Sequence, residues 1–256
     1  MRASDDANPR CVALKRGFGS SGARGGPSAY ADPVPTDPVP TYSARIRAVL
    51  LDFHSTLVDA GDATQWLAMG LERSGADLDD AERTAITARL DDIWMHAREI
   101  DPDSGRDYSA EAHAAVFHDV MSGHVDEGLR QVLYEAMFDM WCAYDDAAPL
   151  LDALRARGVR TAVLSNIGVD IRPMMEREGL RADAVILSCE VGAVKPQPEI
   201  FRAALDALEV TPEETLMVGD AWTDDGGAAA VGIRTLILPR TRGRVHGLDA
   251  VLRLVG

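Results

Sequence analysis

The sequence predicts an α/β protein: a parallel sheet covered by helices on both faces and interrupted by one all-helical insertion. Two observations carry this. From residue 46 onward, short β-branched apolar runs at 47–53, 160–165, 184–188, 215–219 and 235–238 alternate with amphipathic segments at 146–157, 169–178, 198–208 and 226–231. Gly158, Gly179 and Gly232 follow three of those segments, and glycine accepts the left-handed backbone that ends a helix. Strands joined through helices pair in parallel and leave a ligand crevice outside their carboxyl ends. Residues 60–145, by contrast, hold no convincing β run and read as four helices near 62–74, 78–99, 109–121 and 125–143. Inserted directly after the first strand, they would sit over the strand ends, where a lid can exclude water and select substrate.

This divides the chain into a tail at 1–44, a core at 45–59 and 146–256, and a helical cap at 60–145. The tail is rich in Gly, Pro, Ser and Ala and repeats Asp-Pro-Val-Pro-Thr at 32–36 and 37–41. Such a segment cannot bury enough surface to offset its ordering entropy, so it is expected to be disordered, and no function is assigned to it.

The 256 residues are 46% hydrophobic, a globular composition, with 26 Lys+Arg against 41 Asp+Glu and a formal charge of −15. That excess of carboxylates repels the phosphate backbone of nucleic acid and an anionic membrane face, so neither is expected as a partner. No run approaches the roughly 18 apolar residues of a membrane helix, and the N-terminus lacks a secretory signal, so a cytoplasmic protein is expected. Cys11, Cys142 and Cys189 follow no metal-ligand or paired spacing. Cys142 and Cys189 read as inert core residues. Only Lys15 and Lys195 among the 26 cations are lysines, which makes Lys195 conspicuous.

The polar residues that could do chemistry fall at strand ends. The first strand runs into Asp52-Phe-His-Ser-Thr56, the second into Ser165-Asn166, and the fourth into Gly219-Asp220 followed by Asp224-Asp225; Lys195-Pro196 follows the third. A parallel sheet brings these ends together, so Asp52, Ser165, Lys195, Asp220 and Asp225 should share one pocket. Carboxylates crowded together ionise cheaply only around a cation, and an all-oxygen set with room for water suits Mg²⁺. One carboxylate could attack an electrophilic centre while Lys195 and the Ser165 hydroxyl hold the charge of the transferred group.

These motifs, in this order, resemble the haloacid dehalogenase (HAD) superfamily of hydrolases across about residues 46–240. The resemblance implies a Rossmann-like core with a mobile α-helical cap. It also implies Asp52 as nucleophile, Ser165 with Asn166 as the second motif, Lys195 as the third, and Asp220 with Asp225 as the metal-binding acids of the fourth. Family phosphatases carry a second Asp two residues after the nucleophile as general acid and base; here that position is His54. Its backbone carbonyl could still hold metal, and an imidazole of ordinary pKa, about 6.5, could exchange protons near neutrality.

The expected activity is therefore Mg²⁺-dependent hydrolysis of a small phosphorylated metabolite through an aspartyl-phosphate on Asp52. The first alternative is a metal-free 2-haloacid dehalogenase, since dehalogenases also replace the second Asp, although they carry Ser-Asn where this chain has Gly219-Asp220. The other is a binding or regulatory module with weak or no turnover. Phosphonatases use a cap lysine, and 60–145 contains none. Trp66, Trp94, His96 and Arg98 are candidate substrate contacts on the cap, and for the tryptophans packing within the helices is the simpler role. The other cap histidines, His113, His118 and His124, read as ordinary surface or core residues.

Overall fold

The computed structural model describes residues 44–255 apart from 102 and 242. The tail expected at 1–44 lies, but for Ala44, outside the described residues, as does Cys11. In chain order the elements are β1 (Ala48–Leu51), β2 (Val58–Asp59), α1 (Ala63–Ser74), α2 (Asp80–Asp91), α3 (Ile93–Ile100), α4 (Ala110–Met121), α5 (Glu127–Met140) and β3 (Cys142–Ala143). Then follow α6 (Ala147–Ala156), β4 (Arg160–Ser165), α7 (Arg172–Arg177), β5 (Ala184–Leu187), α8 (Ser188–Val191), α9 (Pro198–Leu208), β6 (Thr215–Gly219), a 3₁₀ segment (Asp225–Val231), β7 (Arg234–Ile237) and α10 (Asp249–Leu254). Among the described residues no helix is long and apolar enough to cross a membrane.

The five longer strands form one parallel sheet in the order β5-β4-β1-β6-β7, with Leu51 of the central strand opposite Val163 and Val218. The alternation of side chains along a strand explains its apolar sequence. Ala48, Leu50, Ala162, Leu164 and Met217 pack with Ile200, Phe201 and Ala204 of α9 on one face. Val49, Leu51, Val163, Leu216 and Val218 face a larger cluster that takes in Leu150, Leu151 and Leu154 of α6 and continues through Phe53, Leu57 and Trp141 into the cap. A strand buried on both faces cannot alternate with polar residues, so its run is apolar throughout.

Four of the five helices between β2 and β3 start where aspartate or serine supplies an oxygen to unpaired backbone amides: Asp62 for α1, Asp79 in a reciprocal box with Glu82 for α2, Ser109 for α4 and Asp126 for α5. α1 and α5 approach closely because Gly70 has no side chain; a Cβ there would lie 2.5 Å from Leu133.

Several expected elements differ. The single helix expected at 78–99 is two, because Asp92 leaves helical geometry at φ −111°, ψ 22°. That break gives α3 its own direction. The helix expected at 125–143 stops at Met140, and Cys142–Ala143 pairs antiparallel with Val58–Asp59. Two-residue strands are too short to show a period. Cys142 is exposed on this ribbon and Cys189 is only half-buried, so neither is the core residue expected. The chain at 184–188 leaves the sheet after Leu187 to form α8, and 226–231 is 3₁₀ rather than α-helical.

Asp146 fixes the start of α6 against the C-terminal segment. Its carboxylate accepts the amides of His246 at 3.0 Å and of Gly247 and Leu248 at 2.8 Å each. Burial works to raise its pKa, but these amides win and hold it below the ordinary carboxylate value. A depressed folded-state pKa contributes stability that is present above the unfolded value and is lost as pH falls through the folded one. Asp146→Ala should therefore lower the unfolding free energy by about 2 kcal/mol at pH 7. In urea titrations, the gap to wild type should narrow as pH drops below about 4.

Candidate active site

The strand ends converge as the topology requires. The amide of Asp52 donates to the carbonyl of Val218 at 2.9 Å, extending the ladder one residue past β1 and fixing the carboxylate over the sheet edge. The Lys195 ammonium donates to Asp52 Oδ1 at 2.5 Å and to Asp225 Oδ1 at 2.7 Å. All three side chains are buried. Burial pushes both carboxyls up while Lys195 pulls them back. Burial also opposes the charge on Lys195, but the two carboxylates outweigh it and hold the ammonium above its ordinary pKa.

The backbone around this triad is shaped to hold it. The side-chain amide of Asn166 donates to the Lys195 carbonyl at 2.9 Å and accepts the Lys195 amide at 2.7 Å, so Asn166 is aimed at the backbone that carries the lysine. Asp225 Oδ2 accepts the Ala221 amide at 3.0 Å. Gly219 must be glycine, because a Cβ there would lie 2.0 Å from that oxygen.

Asp220 adds a third carboxylate. One oxygen from each of Asp52, Asp220 and Asp225 lies within 4.8 Å of the others. The set is all oxygen and strongly negative, with unused lone pairs on each carboxylate, and these residues fit a hard divalent cation such as Mg²⁺. Asp220 is also ion-paired with Arg240. Asp224 lines the cavity but lies outside the three-carboxylate group, and so does the His54 ring.

His54 stands edge-on to Trp141, ring centroids 4.4 Å apart, and to Phe53 at 4.8 Å. Burial first, then the charges on the His113, Arg106 and Lys195 side, push its pKa down to about 3. A ring so shifted is neutral near pH 7 and offers one N–H.

A cavity of about 420 Å³ opens over this group. Ser165, Asn166, Lys195 and Asp220 line its core end, and Trp66, Trp94, Arg98, Arg106 and His113 its cap end. His96, also a candidate contact, pairs instead with Glu99 at 3.2 Å. His113 is buried, with Nδ1 3.0 Å from the Tyr134 hydroxyl. Among the described residues no histidine belongs to a metal-ligand group.

The wall carrying Arg106 is seated on the core at two points. Ser188 Oγ accepts the Ile167 amide at 2.8 Å and donates to the Asp107 carbonyl at 2.5 Å. Gly168 lies so close under the cap that a Cβ would meet the carbonyls of Ser109 at 2.3 Å and Arg106 at 2.4 Å. Arg240 stands two residues past the apolar run at 235–238, a strand-end position like those of the other polar site residues, and that is its signal in the sequence. Arg106, Asp107 and Ser188 left no signal, since their roles exist only where cap meets core.

Fold and site together define a parallel α/β protein whose strand ends gather three carboxylates and a buried lysine beneath the helices of the insertion. A family model described as haloacid dehalogenase-like hydrolase matches residues 46–232, and the chain belongs to that family. It is 28% identical over 211 residues to (S)-2-haloacid dehalogenase 1 of Pseudomonas sp. strain CBS-3, covering 76% of this chain and 85% of that protein. It is 40% identical over 105 residues to the phosphoserine phosphatase of Thermus thermophilus, covering 38% of this chain and 41% of that protein. Among solved structures, the magnesium-bound HAD hydrolase YfnB of Bacillus subtilis superposes with a TM-score of 0.62 at 20% identity, covering 83% of this chain and 99% of that one.

Two outcomes follow from the geometry. Lys195→Met strands two buried carboxylates and should cost about 3–5 kcal/mol of stability in denaturant unfolding. Gly168→Ala overpacks the seat and should cost about 1–3 kcal/mol, with faster proteolytic cleavage at residues 104–109.

Proposed function

We propose that this hydrolase is a Mg²⁺-dependent phosphatase of a small phosphorylated metabolite. The observation that supports this reading is the group of three carboxylate oxygens within 4.8 Å. Mg²⁺, held by Asp52, Asp220, Asp225 and the carbonyl of residue 54, would neutralise charge on the transferring phosphoryl group. Asp52 attacks phosphorus in line, the ester P–O bond breaks, and the departing alkoxide takes a proton from solvent water. Lys195 and the Ser165 hydroxyl hold the phosphoryl oxygens. Water then attacks the phosphorus of the aspartyl-phosphate, the P–O bond to Asp52 breaks, Asp52 returns to the carboxylate, and phosphate leaves with the water's oxygen while the surplus proton passes to solvent. The departing oxygen lacks a strong acid, because a neutral His54 offers only a weakly acidic N–H. His54→Asp should therefore raise kcat on phosphate monoesters by about 10²-fold or more, measured as phosphate release in Mg²⁺.

A second reading, a 2-haloacid dehalogenase in which Asp52 displaces halide, is favoured by the match along 85% of a haloacid dehalogenase and by His54 in place of a second carboxylate. One screen separates the two: phosphate monoesters and 2-haloacids, each with Mg²⁺ and with EDTA, and Asp52→Asn as the blank. Phosphate release abolished by EDTA and by Asp52→Asn is the expected result. Halide release that survives EDTA would replace the phosphatase with the dehalogenase. Silence in both assays would leave a binding module.

A further inference from the structure

The cavity is divided by chemistry. Its core end is carboxylate, ammonium and hydroxyl, whereas at its cap end Trp66, Leu90, Ile93, Trp94, Met137 and Trp141 supply an apolar surface beside Arg106, Asp107 and His113. The polar groups among these cap residues are largely engaged within the protein. Trp66 Nε1 donates to the Leu133 carbonyl at 2.8 Å, and His113 Nδ1 is occupied by Tyr134. Arg106 gives Nε and Nη2 to Asp107 at 2.8 and 2.9 Å and lies over the Trp94 ring, 4.6 Å from its centroid.

What the inner wall leaves for a ligand is mostly ring faces and aliphatic and thioether surface, with Asp107 held by Arg106. Arg98 and Asp91 line the rim, both exposed and of opposite sign, so they set no net preference for an ion. A polyhydroxylated group moved here would find only two carboxylate acceptors at the cap end, the exposed Asp91 at the rim and Asp107, already paired with Arg106, and would lose more hydrogen bonds to water than it regains. A flat apolar group gains by burial and by edge or face contact with the rings. The volume, about 420 Å³, lies in the range of small-molecule sites and leaves room for such a group beside the phosphate.

We propose that the substrate's departing group is apolar and planar, an aromatic or similarly flat alcohol seated beneath α1, α3 and α5, rather than a sugar or polyol. This rests on the reading that the core end takes a phosphoryl group. Two side chains carry the test: Trp94, half-buried at the wall, and Met95, which lines the cavity while 60% exposed, so that its replacement leaves the core intact.

Calorimetric titration in Mg²⁺ with two non-hydrolysable probes, benzylphosphonate and 2-hydroxyethylphosphonate, reads the preference without turnover; phosphate release from benzyl phosphate is measured alongside. Benzylphosphonate should bind at least about tenfold tighter, a difference of about 1.4 kcal/mol. Trp94→Ala and Met95→Glu should each cut that advantage about threefold or more and leave 2-hydroxyethylphosphonate unchanged. Equal binding, binding of neither probe, or an advantage untouched by both variants overturns the inference. A preference without phosphate release sustains the apolar chamber and removes the phosphatase reading. Phosphate release without a preference removes the apolar chamber alone.

Discussion

One buried ammonium organises the site. Lys195 reaches Asp52, 143 positions earlier, and Asp225, 30 positions later, so a single side chain ties the end of the central strand to the segment after β6. Taking three charges out of water is costly, and the arrangement holds only because each is met by a partner of opposite sign and by further hydrogen bonds. Asn166 clamps the lysine's backbone from both sides, the Ala221 amide takes the free oxygen of Asp225, and Gly219 leaves room for that oxygen. The two sheet clusters, packed through alternate residues of β1, β4 and β6, keep these ends in register.

The same packing sets the conditions for chemistry. Asp52 belongs both to the lysine triad and to the three-carboxylate group, so a cation bound there would alter the charge balance of the lysine's own partner. Asp220 is shared in the same way with Arg240. His54 lies on the boundary between this polar floor and the aromatic cap. Its neutrality comes from that position, since burial and the neighbouring cationic groups both disfavour the imidazolium form.

The cap is coupled to the core by packing and by backbone contact. A continuous apolar cluster runs from the sheet through Phe53, Leu57 and Trp141 into the helices, and Ser188 joins the turn at Asp107 to the backbone after β4. Arg106 therefore overlooks a site built almost wholly from the core.

The sequence by itself determined the parallel α/β core, the helical insertion and the meeting of Asp52, Ser165, Lys195, Asp220 and Asp225. These follow from periodicity and from where polar residues interrupt apolar runs, properties local to each segment. It left unresolved the break at Asp92, the two-residue ribbon of β2 and β3, the exposure of Cys142, and the partners Arg240, Arg106 and Ser188. Those depend on contacts between segments far apart in the chain. The fate of His54 is the clearest case: its ordinary pKa belongs to the residue type, but burial beside Trp141 and near His113, Arg106 and Lys195 belongs to the fold. Only the tertiary structure decides that environment, because solvation and neighbouring charge are set by what packs around a side chain.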